Sequence, residues 1–119
     1  PDASARRVRD DVKSRMGVDV AGIISDTFGR PWRAAAVNVA IGVAGFNPCV
    51  SYVGQEDSHG NMMYTTVICV ADELAAMAEL VTGKVDNVPV SIIRGYPYEP
   101  MEEASLEMLL RSPDKDLFR

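Results

Sequence analysis

Two stretches, VDVAGIIS at 18–25 and VNVAIGVAG at 37–45, are apolar almost without a break and rich in β-branched side chains. Strands of that kind are covered on both faces, so the chain must supply further layers. Helices are legible on either side of them. Over 4–16, Val8, Val12 and Met16 recur every four residues on one face, with Arg6, Arg9, Asp10 and Lys13 on the rest. Ser4 or Asp2 is suited to cap that helix and Gly17 to close it. In ICVADELAAMAELVTG, Ile68, Ala71, Ala75, Ala78 and Val81 form one stripe, Leu74 widens it, and Gly83 ends it. A short strand is predicted around 50–53, another buried strand at 88–95 (VPVSIIRG), and a last amphipathic helix over 102–110 with Leu106, Leu109 and Leu110 inward. The glycines of 37–45 mark places where something approaches the backbone closely. This order predicts a mixed α/β (α+β) fold. The 119 residues are read as a single domain, 1–119.

Charge and cysteine content exclude several classes. A net charge of −5 and a pI of about 4.8 argue against nucleic-acid binding, which needs clustered cation excess. No apolar run approaches the roughly 18 residues of a membrane span, and PDASARRVRDD lacks the apolar core of a secretory signal. Cys49 and Cys69 show no Cys-x-x-Cys spacing and cannot build a tetrahedral zinc site unaided. Their apolar surroundings point to reduced core thiols and a cytoplasmic location.

The chemistry-bearing residues concentrate in IISDTFGRPWR, 23–33. Asp26 and Thr27 are expected side by side at the exit of strand 18–25. There a carboxylate and a hydroxyl or carbonyl oxygen form a pair of hard ligands for Mg²⁺ or Mn²⁺. The alternative is an Asx-type turn in which Asp26 binds its own backbone. Arg30 and Arg33 flank Pro31 and Trp32. They suit phosphate clamping through the guanidinium fork, or form a solvated pair with Trp32 beneath an arginine stem. Asp57, between Gly54 and Gly60, reads as turn chemistry rather than ligation, and His59 as a solvent-facing loop residue with no nucleophile pattern nearby. VTGKVDNVP, 81–89, contains Gly-Lys without the spacing of a phosphate-binding P-loop. Lys84 either meets a phosphate or offsets the negative end of the preceding helix. Asp72 and Glu73 read as the acidic first turn of that helix, and Met62, Met63, Met77 and Met108 as gap-filling core residues.

Five segments stand in a recognisable order: IISDTFGRPWR, VNVAIGVAG, VGQEDSHGNMM, VADELAAMAELVTGK and VPVSIIRG. Together they resemble the coenzyme F(420)-0:L-glutamate ligase family, also called coenzyme F(420):gamma-glutamyl ligase. The likeness runs from the PDASARRVR helix to MEEASLEMLLR and corresponds to the family's second half. It implies a gamma-glutamyl-ligase-like fold, a central mixed sheet with flanking helices, completed by an N-terminal half that supplies much of the nucleotide pocket. It also implies the activity. GTP phosphorylates the lactyl carboxylate of the deazaflavin cofactor precursor, and L-glutamate displaces phosphate from the acyl phosphate to leave an amide. By the same resemblance Asp26 and Thr27 match the metal-binding Asp-Thr, with Mg²⁺ or Mn²⁺ and in addition K⁺ as cations. Thr82, Gly83, Lys84, Val85, Asp86, Asn87 and Val88 match a loop that contacts the guanine nucleotide, and members form intertwined homodimers. Two departures stand out. Some members carry an acidic metal ligand where Lys84 stands, in a loop that is one residue longer, and Ala34 replaces a common glycine.

Overall fold

The computed structural model describes residues 1–116. Helix α1 (Asp2–Met16) leads into a long hairpin of β1 (Gly22–Arg30) and β2 (Arg33–Phe46). A short β3 (Cys49–Ser51) and β4 (Val67–Cys69) follow, then α2 (Val70–Thr82), β5 (Pro100–Met101) and two 3₁₀ turns, Leu106–Met108 and Pro113–Lys115. The chain is thus α/β, as expected, but the sheets are antiparallel rather than mixed. One runs β1-β2-β5 and the other pairs β3 with β4.

The hairpin departs from the sequence expectation in its extent. β1 begins at Gly22, not at residue 18, and carries on through the polar residues to Arg30, so Asp26 and Thr27 lie inside a strand rather than at its exit. Pairing, not apolarity, sets the limits: Gly22 faces Ala44, Asp26 faces Val39, Thr27 faces Asn38 and Arg30 faces Arg33. Register shifts after Ile24 and after Gly29 bend the ribbon. Pro31 and Trp32 make the turn, Trp32 at φ 58° and 89% exposed.

The core is small. Ala40, Val43, Phe46, Ala71 and Ala104 form its buried centre, with Ala21, Ile23, Cys69, Leu74, Met101 and Leu109 packed around it. Phe46 meets Tyr98 edge-on at 6.1 Å. α1 does not dock through its predicted stripe. Val8 is exposed and Met16 is 72% exposed, while Ala5 is buried against Gly22, where a Cβ would stand 3.0 Å from the Ala5 carbonyl oxygen. A small residue on the helix and a glycine on the strand let two backbones approach, which the spacing of larger side chains cannot reveal. The glycines of β2 do serve close approach. Gly45, at φ +82°, leaves room for Arg9, whose Nε would lie 2.6 Å from an added Cβ. Arg9 grips Glu102 through two 2.6 Å hydrogen bonds and donates to the Val20 carbonyl, tying α1 to the segment after β5.

Two further elements differ. No ladder forms over 88–95 among the described residues, and Val90 and Ile92 are exposed. That segment has the composition of a strand without a neighbour to pair with. The helix expected over 102–110 is reduced to one 3₁₀ turn capped by Ser105, with Leu106 and Leu109 half-buried and Leu110 exposed. α2 keeps Ala71 and Ala75 inward, whereas Val81 is exposed and Ile68 belongs to β4.

Along the edge of β2 away from β1, carboxylates take the place of a neighbouring strand. Asn38 N–H donates to Glu79 at 3.0 Å, Ala40 N–H to Asp72 at 2.9 Å, and Val43 N–H to Asp2 at 2.9 Å. Asp2 is therefore not the N-cap of its own helix. Its carboxylate also accepts from Leu106 N–H and Ser105 Oγ. Burial alone would raise the Asp2 carboxyl, but the hydrogen bonds from Val43, Leu106 and Ser105 outweigh it and hold the group below its ordinary value of 3.8. A depressed carboxyl contributes stability above its unfolded pKa and loses it as pH falls through the folded value. Asp2→Ala is expected to cost about 1–3 kcal/mol, the penalty for stranding buried donors. The variant should also lose less stability than the parent on acidification below about pH 4, as read by urea titrations across pH.

Candidate active site

The C-terminal end of α2 and the middle of the β1–β2 hairpin meet at one corner. Gly83 closes the helix at φ 58°, with its N–H on the Glu79 carbonyl, and the side chain of Asp86 folds against it so closely that a Cβ would fall 2.6 Å from Oδ2. Asn87 completes the turn at φ 54°, a conformation asparagine tolerates better than most residues. Thr82, Gly83, Lys84, Asn87, Val88 and Pro89 line an open groove of about 390 Å³. Five of the seven residues predicted for nucleotide binding are thereby gathered; Val85 and Asp86 lie outside the lining.

At the rim of the groove Lys84 reaches across to the hairpin. Its Nζ donates to Thr27 Oγ1 at 2.6 Å and to Asn38 Oδ1 at 2.9 Å, and pairs with Glu79 Oε1 at 2.7 Å. Thr27 Oγ1 donates in turn to Asn38 Oδ1 at 3.3 Å, and the other oxygen of Glu79 holds the Asn38 backbone. The cluster joins β1, β2 and α2, and pairs one positive charge with one negative.

Asp26 behaves differently. Consecutive strand residues point to opposite faces, so its carboxylate leaves the sheet on the side away from the Thr27 hydroxyl. Asp26 Oδ1 accepts from Thr27 N–H at 2.7 Å, a contact with the next residue of the strand rather than the Asx-type turn, and the residue is exposed. No group of three or more His, Cys, Asp or Glu side chains suited to a metal forms among the described residues. The donor set fits a divalent ion only in part. Asp26 has an outward oxygen to offer, but the Thr27 hydroxyl is already engaged by an ammonium, and the two side chains cannot close on one ion.

The arginines sit apart. Arg30 lies four residues along β1 from Asp26, about 13 Å at the usual strand rise. It donates weakly to the Ala34 carbonyl at 3.4 Å, and its Nε is buried without a partner among the described residues. Arg33 faces it across the turn and is exposed. Asp57 is occupied with its loop, Oδ1 accepting from His59 N–H and Asn61 N–H at 2.8 Å each. The Asn61 contacts, backbone then side chain, hold its carboxyl below the usual value. His59 is exposed. Cys49 and Cys69 are free thiols opposed across β3–β4; burial raises both, Cys69 to about 11.

Asn38 and Glu79 were not singled out by the sequence reading. The available signal was the placement of acids on α2: Asp72 and Glu79 stand seven residues apart, two turns along the same face as Ala75. An acid on the inward stripe of an apolar helix needs a partner. Glu79→Ala is expected to cost about 1–3 kcal/mol, because it leaves the buried Asn38 N–H without an acceptor. Glu73→Ala, exposed on the same helix, should stay within about 0.5 kcal/mol of the parent in the same denaturant titration.

Comparison with known proteins fits this corner into a larger frame. The family model described as F420-0:Gamma-glutamyl ligase matches residues 1–95. The "Coenzyme F420:L-glutamate ligase" of Methanothermobacter thermautotrophicus is 46% identical over 121 aligned residues, covering 100% of this chain and 48% of the relative. The protein of the same name from Methanocaldococcus jannaschii is 41% identical, again over 100% of this chain and 48% of its own length. That from Haloarcula marismortui is 38% identical, over 100% and 46%. The chain spans about half the length of these curated relatives. The match is strong and runs from end to end of the chain, which belongs to the F420-0:gamma-glutamyl ligase family.

Proposed function

We propose that this chain forms the C-terminal part of a GTP-dependent amide ligase that adds L-glutamate to the lactyl carboxylate of coenzyme F(420)-0. The observation that carries the reading is the 2.6 Å contact between Lys84 and Thr27. It sets the groove lined by 82–84 and 87–89 directly beside the strand that bears Asp26. Support for the substrates comes from relatives whose names specify glutamate ligation to coenzyme F420.

In the proposed course, a carboxylate oxygen of the acceptor attacks the γ-phosphorus of GTP, the bond to the β-phosphate oxygen breaks, and GDP leaves. The glutamate amine then adds to the acyl carbon, and the tetrahedral intermediate expels phosphate and a proton to leave the amide. Bringing two anions together is the difficulty of the first step. A divalent ion, Mg²⁺ or Mn²⁺, supplies charge neutralisation and alignment there. Asp26 would hold it through its outward oxygen, with Thr27 contributing its backbone carbonyl rather than the hydroxyl that Lys84 engages. Further donors would come from the triphosphate and from the N-terminal half. Thr82 to Val88 would line the nucleotide side. Arg30 and Arg33, at the hairpin tip, would meet phosphate oxygens there. K⁺ in addition and a homodimeric assembly belong to the same proposal.

A second reading is favoured by the exposure of Val90 and Ile92 at 73% and 76%. In it the chain alone is a non-catalytic nucleotide-binding or dimerising module. Mixing this chain with GTP, Mn²⁺, glutamate and the precursor, with and without a separately made N-terminal half, separates the two. Product only from the mixture supports the ligase reading; none from either supports the module. Within the intact enzyme, Asp26→Ala should lower metal-dependent GTP turnover by at least about 100-fold, a loss of roughly 3 kcal/mol in transition-state stabilisation, with the circular-dichroism melt unchanged. Turnover that keeps its metal dependence would remove Asp26 from this role.

A further inference from the structure

We propose that Thr27, Asn38 and Glu79 form an oxygen cage for a monovalent cation, and that in this chain the cage is filled by the tethered ammonium of Lys84. Three oxygens from β1, β2 and α2 converge on Nζ at 2.6, 2.9 and 2.7 Å. An ammonium has three N–H donors; here Nζ is hydrogen-bonded to Thr27 and Asn38 and ion-paired with Glu79. Turning Lys84 toward a phosphate would loosen at least one of these contacts. Lys84 is a positioning residue: it holds the hairpin against the end of α2 and places one fixed positive charge at the rim of the groove. The negative end of α2, just before Gly83, adds to the attraction.

The cage is specific in its chemistry. Glu79 supplies the single full negative charge, while Thr27 and Asn38 supply neutral oxygens, a set matched to one positive charge rather than two. Asn38 donates its backbone N–H to the far oxygen of Glu79, accepts at Oδ1 from Thr27 Oγ1 and is buried, so the accepting groups of Asn38 and Glu79 have partners besides the ammonium. Removing the lysine side chain should leave a preformed site for a small cation that offers N–H groups.

The inference bears on the ligase reading, in which this charge sits beside the nucleotide, but its test is independent of turnover. In the intact protein, Lys84→Ala should melt several degrees below the parent. It should regain at least half of that loss in methylammonium chloride, with a saturable dose response. Tetramethylammonium chloride, which lacks N–H donors, should give no recovery, and the parent should respond to neither salt. Equal responses of the variant to the two salts, or a melt like the parent's, would overturn the cage. If Lys84→Ala does not fold, the parent is read instead by ¹H–¹⁵N spectroscopy of lysine side chains. A Lys84 ammonium signal persisting through slow solvent exchange supports the cage, and exchange as fast as Lys13's overturns it. Should ligase assays fail while methylammonium rescue succeeds, the functional reading falls and the cage stands.

Discussion

Strand β2 depends on carboxylates. Its one edge is satisfied by β1, but at 38, 40 and 43 the other edge offers N–H groups that no strand takes up, and Glu79, Asp72 and Asp2 accept them. A buried N–H left unpaired costs as much as several apolar contacts provide. These bonds therefore fix where both helices lie along the strand. They compensate for a core made mostly of alanines, which buries little apolar area per residue. Among the described residues, a strand, β5, takes over the same edge only at Gly45 and Phe46.

The same bonds place the candidate site. Glu79 reaches Asn38 with one oxygen and Lys84 with the other, so a single side chain fixes both the helix end and the loop after it. Thr27 joins because it faces Asn38 in register. A one-residue slip of the hairpin would send Thr27 to the opposite face and break the cluster. Asp26 leaves on that opposite face, which divides the Asp-Thr pair between two environments: an exposed carboxylate on one side and the Lys84 ammonium on the other.

How much of this was legible in the sequence varied with the physics. α2, its Gly83 terminus and the closure of α1 at Gly17 were readable, because periodicity and a left-handed glycine are local signals. The hairpin was half readable: its apolar strands stood out, while the polar residues 26–30 joined β1 only through pairing with β2. The packing face of α1 was not, since Ala5 against Gly22 is a matter of backbone approach. Segment 88–95 has the residues of a strand but pairs with none among the described residues, so composition alone overreached. The groove residues came from family likeness, and the geometry gathers most of them. The Glu79–Asn38–Lys84 link is a contact between distant segments that no local pattern carries.

The central claim is that β1 at Asp26 and Thr27 and the loop 82–88 form one nucleotide-and-cation corner. Amide NMR of the intact protein with Mn²⁺ and a non-hydrolysable GTP analogue tests it most directly. The account predicts that paramagnetic broadening appears at residues 26–27 and 82–88 together, and only when metal and nucleotide are both present. Broadening confined to other segments, or unchanged signals at both of these in a saturated complex, would contradict it.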